Sequence, residues 1–94
     1  MEERFLVLYR GSIDDLPLLL AADYPAAAAM AKAVAAHPDP CHHPAVAAVC
    51  DLMRLNASVF VNATVLRFRN GAPAGVAATF DAANLCPAEL GGKG

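Results

Sequence analysis

Residues Ala57–Gly71 read ASVFVNATVLRFRNG, and the side chains alternate with a period of two. Val59, Val61, Ala63 and Val65 fall on one side, with Phe60, Leu66 and Phe68 on the other. β-Branched and aromatic residues at this spacing predict a strand. Asn70-Gly71 follows at once, and both residues accept the positive φ that a type I′ hairpin turn requires. The second arm of the hairpin is then Gly75–Asp81, with Val76, Ala78 and Phe80 on one face. Pro73 must sit where its missing N–H is not needed.

The rest of the chain is read as what pairs with this hairpin and covers it. Arg4–Arg10, RFLVLYR, has Phe5, Val7 and Tyr9 alternating against Leu6 and Leu8, so both faces of the predicted strand are apolar. Such a strand is covered on both sides within the chain, or once by helices and once by another subunit. Gly11-Ser12 and Asp14-Asp15 are turn residues. Leu16–Ala22, LPLLLAA, admits two readings: a strand that pairs back on the first, or a helix entered through Ser12 with Asp15 at the capping-box position. The strand is the preferred reading, with Pro17 near its start.

Two helices come next. In Asp23–Ala36, Asp23 or Tyr24 caps, Pro25 lies near the first helical position and alanines propagate, with Met30 and Val34 as one stripe. His37-Pro38 ends it, since the residue before proline is pushed out of the helical region. Pro44 opens a second helix running to about Leu55. There Val46, Val49, Cys50 and Met53 make the inward stripe, and Asn56 is the left-handed stop. A short turn of helix within Asp81–Leu90 would carry Leu85 and Cys86 back to the core.

The expected fold is therefore a two-layer α+β domain over residues 1–90, with a flexible tail at 91–94. An antiparallel sheet of three or four strands is covered on one face by two helices, in the order β-β-α-α-β-β, or β-α-α-α-β-β if Leu16–Ala22 is helical. Two consecutive helices return the chain to the end it left. The strand after Ala57 should thus run antiparallel to its partner in the first hairpin.

Composition narrows the function. Of the 94 residues, 57% are hydrophobic and 17% charged. So few charges leave apolar surface outside any core this short chain builds, which points to a homo-oligomer, a dimer being the simplest, or to a protein partner. A formal net charge of −2 supplies no basic field, so general nucleic-acid binding is not expected. No run approaches the roughly 20 apolar residues of a membrane helix. Acidic residues stand where a signal peptide would carry basic ones, so cytoplasmic residence is expected. Cys41, Cys50 and Cys86 are an odd set without the density of a disulfide framework.

Four groups of residues carry candidate chemistry. His37, Cys41 and His43, in the connection HPDPCHHP with His42, offer nitrogen and sulfur donors of the kind zinc takes. A second pair at a recognisable spacing is missing, and Cys50 or Cys86 would have to complete the site. Cys41 beside two imidazoles is also a candidate for a thiol of lowered pKa. Arg67 and Arg69 lie one strand repeat apart and, with Arg4 and Arg10, would grip a carboxylate or phosphate at one sheet end. Asp14 and Asp15 read as a solvated turn, and the sequons at Asn56 and Asn62 are empty without secretion. With no complete catalytic set, the expected role is a non-enzymatic interaction or regulatory module working as a homo-oligomer. A metal- or thiol-dependent protein and an anion binder are the alternatives, and zinc is the single cofactor in view.

Overall fold

The structure is a computed structural model that describes residues 2–83. Its elements are β1 (Glu3–Gly11), β2 (Asp15–Ala21), α1 (Tyr24–Ala36), a 3₁₀ turn (Pro40–His42), α2 (Pro44–Met53), β3 (Phe60–Arg69) and β4 (Ala72–Phe80). The four strands form one antiparallel sheet in the order β2-β1-β3-β4. This is the β-β-α-α-β-β arrangement, with β3 antiparallel to β1. The helical turn expected after Asp81, with Leu85 and Cys86, and the tail lie outside the described residues.

Local chemistry accounts for most of the boundaries. Asn70 and Gly71 close the second hairpin with φ of 51° and 84°. The Asn70 amide donates to the Glu2 carbonyl at 2.8 Å, and its side-chain oxygen accepts from the Glu2 N–H at 3.0 Å, which ties the start of β1 to the hairpin tip. Residues 16–21 form a strand despite Pro17 because β2 is an edge, where one row of N–H groups has no ladder partner to lose. Asp23 caps α1 by accepting from the Ala26 N–H at 2.9 Å, and the helix stops at His37 ahead of Pro38. Helix α2 begins at Pro44 and ends two residues earlier than the sequence suggests, with Arg54, not Asn56, in the left-handed cap at φ 57° and ψ 50°.

Helix α1 lies across all four strands, and its small residues Ala27, Ala28, Ala31 and Ala35 let the helix backbone approach the sheet closely. Against them pack Phe5, Val7, Ala63, Val65, Ala78 and Phe80. A second cluster, Tyr9, Leu16, Val34 and Val46, joins both helices to the other end of the sheet. Helix α2 packs on β2 and the 3₁₀ turn, and Val46 is its one fully buried side chain, while Leu52 and Met53 face solvent.

The strand pairs slip in register at four places, and three of these slips decide which face a large side chain takes. Between Arg10 and Gly11 the β1–β3 register slips, which turns Phe60 to the helix side, its ring 5.4 Å from that of Tyr9, and leaves Val61 half-exposed. Between Val65 and Leu66 the β3–β4 register skips Ala77, so Val76 turns to the open side while Ala78 and Phe80 stay buried. Leu18 is the extra residue in β2, and it packs against the core. An inserted residue reverses which face every later side chain occupies. No helix among the described residues is long and apolar enough to cross a membrane.

Candidate functional site

Two surfaces stand out, one on each side of the sheet. The first is the sheet face that no helix covers. Register places Leu20, Leu6, Leu66 and Val76 side by side, one from each strand. The neighbouring row is Pro17, Leu8, Thr64 and Thr79, and Phe68 lies between Arg4 and Pro73. Leu20 and Val76 are each 62% exposed, large apolar side chains in a position that a one-sided sheet fills with polar residues. Thr64, on the central strand β3, is buried, with its hydroxyl donating to the Asn62 side-chain oxygen at 2.7 Å. The charged groups of this face are paired within the chain: Arg4 with Glu2 at 2.7 Å, and Arg10 with Asp15 at 2.9 Å.

The second surface is the proline-rich connection between the helices. Its 3₁₀ turn is closed by the His42 amide on the Asp39 carbonyl at 2.8 Å and the His43 amide on the Pro40 carbonyl at 3.1 Å. The turn brings one donor atom each from Asp39, Cys41 and His42 within 4.8 Å of one another. The Cys41 thiol donates to Asp39 Oδ1 at 3.2 Å and lies 3.8 Å from His42 Nδ1, which itself meets Asp39 Oδ2. Cys41 is therefore in the cluster, but His37 and His43 are not. Nδ1 of His37 accepts from the Asp39 amide at 2.9 Å, and Nδ1 of His43 accepts from the Ala45 amide at 3.0 Å, capping α2. The two rings meet edge to face with centroids 5.3 Å apart. Asp39 escaped the sequence reading because a residue between two prolines looks like a plain turn, and His42 because it adjoins His43.

The electrostatics of the turn oppose a reactive thiol. The Asp39 carboxylate, as hydrogen-bond acceptor and then with burial, pushes the Cys41 thiol above its ordinary pKa. The sequence expectation of a lowered value fails because a carboxylate lies nearer the sulfur than any imidazolium. Asp39 itself is held below the usual range by the hydrogen bond to His42, then by that from Cys41. Burial, then His37, lowers His43. Cys50 lines the same cavity as Cys41 and His42, along with Asp51 and Leu55.

Arg67 and Arg69 do lie together, but they meet a carboxylate of this chain. Glu3 Oε2 is 2.9 Å from Arg69 Nε and 3.8 Å from Arg67 Nε, and the Arg67 guanidinium also sits 5.6 Å from the centre of the Phe5 ring. Arg4 is on the opposite sheet face and Arg10 at the opposite end of β1, so the four arginines do not converge. Asp14 and Asp15 separate as well: the Asp14 carbonyl closes the turn onto the Gly11 amide at 2.9 Å, while the Asp15 carboxylate pairs with Arg10.

Comparison of the chain with protein-family models, with curated proteins and with solved structures finds no match.

Proposed function

We propose that the protein acts as a homodimeric interaction module whose open sheet face packs against the same face of a second copy. The row Leu20, Leu6, Leu66 and Val76 carries this reading. A two-fold pair buries the same patch on both subunits, so a patch that is apolar and free of uncompensated charge is complementary to itself. The size also fits. Four strands at about 4.8 Å spacing and nine residues at a rise of about 3.3 Å give a face of roughly 19 by 30 Å, about 570 Å² in projection. Side-chain relief raises the accessible area above that figure, towards the roughly 800 Å² per partner of a standard interface.

The alternative route to a dimer, strand addition at an edge, is obstructed. Both edge strands carry a proline, Pro17 in β2 and Pro73 in β4, and both are broken by bulges. Such features blunt edge pairing. Face-to-face packing avoids them.

Native mass spectrometry and light scattering at micromolar concentration test the proposal. The parent chain is expected to be a dimer and Leu66→Glu a monomer with unchanged circular dichroism, because Leu66 is outside both core clusters. A monomeric parent, or a Leu66→Glu protein that stays dimeric, refutes it.

A further inference from the structure

We propose that Asp39, Cys41 and His42 form a binding site for a zinc-like divalent transition ion, independent of the dimer reading because it lies on the helix side of the sheet. The donor set is the first argument. One thiolate, one imidazole and one carboxylate are ligands that zinc and its neighbours accept together, whereas calcium and magnesium favour oxygen throughout. Their spacing is the second. With Zn–S near 2.3 Å and Zn–N or Zn–O near 2.0–2.1 Å, tetrahedral ligand atoms stand about 3.3–3.6 Å apart. The observed separations of 3.2 Å for Sγ to Oδ1 and 3.8 Å for Sγ to Nδ1 bracket that range. Nδ1 itself meets the other carboxylate oxygen, Oδ2, so a single Asp39 oxygen joins Sγ and Nδ1 at the ion after a small rotation of the carboxylate; one ligand atom from each residue already lies within 4.8 Å of the others, and Asp39 and His42 are exposed enough to rotate.

Preorganisation is the third argument. Pro38, Pro40 and Pro44 fix φ through the connection, and the 3₁₀ hydrogen bonds hold positions 39, 41 and 42 on one side of it. Cys41 is anchored from below, packed against the cluster of Tyr9, Leu16, Val34 and Val46. On binding, the thiol proton that Asp39 now accepts and the Nδ1 proton that His42 shares with Asp39 Oδ2 both leave, the ring keeping one proton on Nε2, and the freed sulfur and Nδ1 lone pairs bond the ion. Three protein ligands at the surface leave the fourth position to water, the arrangement of an open rather than a closed zinc site.

Cobalt(II) titration of the reduced, metal-free protein tests this, read by the thiolate-to-cobalt charge-transfer band in the near ultraviolet and by visible d–d bands of tetrahedral intensity. The parent should develop both, and equimolar zinc should erase them. Cys41→Ser should abolish the charge-transfer band, and Asp39→Asn and His42→Ala should each weaken binding at least about tenfold. His37→Ala should bind as the parent does. A protein with Cys50→Ser and Cys86→Ser should keep the band, since Cys41 is then its one thiol. Absence of the band in the parent, its loss in the double serine variant, or an equal effect of His37→Ala and His42→Ala overturns the assignment.

Discussion

Replacing Tyr9 by phenylalanine should lower stability at neutral pH and yet make the protein more resistant to alkali. The Tyr9 ring is fully buried against Leu16, Val34 and Val46, and its hydroxyl donates to the Ser58 carbonyl at 2.5 Å. Phenylalanine keeps the packing but removes that donor, which costs about 1–2 kcal/mol at a partly buried carbonyl. The same burial, then the Cys41, Cys50 and Asp39 charges, pushes the Tyr9 hydroxyl from 10.0 up to about 12. In the unfolded chain it ionises near its ordinary value. A raised folded pKa gives stability that is intact below the unfolded pKa and lost as pH rises through the folded one. The full loss across this window is about 2.7 kcal/mol, of which about 1.4 kcal/mol is gone by about pH 11.

Tyr9→Phe has no such term. The stability gap of about 1–2 kcal/mol at pH 7 should therefore close by about pH 11 and reverse above it. Urea unfolding of both proteins at one protein concentration, followed by circular dichroism at the two pH values, measures the gap. A gap that stays constant or widens in alkali would show that the fold does not hold this hydroxyl protonated.

Two further outcomes follow from the first hairpin and the hairpin tip. Gly11→Ala should destabilise by about 1–3 kcal/mol, since its Cβ would collide with the Ser58 side chain and stand 2.8 Å from the Asp14 carbonyl oxygen; an unchanged urea midpoint would mean the turn is not closed on Ser58. The hydrogen bond from Arg69 holds the Glu3 carboxyl below its ordinary 4.5, against burial and with added help from the charges of Arg69 and Arg67. A depressed carboxyl gives stability that is present above the ordinary value and lost as pH falls. Thermal unfolding of Glu3→Gln should thus show less acid sensitivity below about pH 4.5 than the parent, and parallel acid limbs would count against the cluster.

What could be read in the sequence was what is decided locally. Asn70-Gly71 needs no partner to prefer its turn, Asp23 followed by Pro25 starts a helix by its own backbone chemistry, and Pro38 and Pro44 bound the connection. Strand phase is different, because a bulge is a negotiation between two strands. Phe60 and Val76 each follow the alternation within their own segment, but their faces depend on slips against β1 and β3. The early end of α2 is of the same kind: Arg54 takes the left-handed position ahead of Asn56, and its amide donates to the Cys50 carbonyl. In the connection between the helices, spacing along the chain pointed to His37 and His43 beside Cys41. The fold instead employs those two as backbone acceptors and gathers the residues that a 3₁₀ turn superposes.

The two proposed sites are separated by the sheet itself, and the distribution of large side chains is what supports the one on its open face. Alanine dominates the sheet-facing side of α1, so one helix with little bulk covers one face closely. The bulkier residues belong to the strands, and β1 carries them on both faces: Phe5, Val7 and Tyr9 towards the helices, Leu6 and Leu8 away from them. A sheet with one wet face alternates apolar with polar, and β1 does not. A second apolar layer on the open side would satisfy that pattern, and in the proposed dimer another copy of the same sheet would supply it at a packing distance of about 10 Å. The proposed face-to-face pair would have four layers, helix, sheet, sheet, helix, with each helix connection on an outer surface. Asp39, Cys41 and His42 would stay open to solvent in that assembly, so the two proposals do not compete and each can be tested without the other.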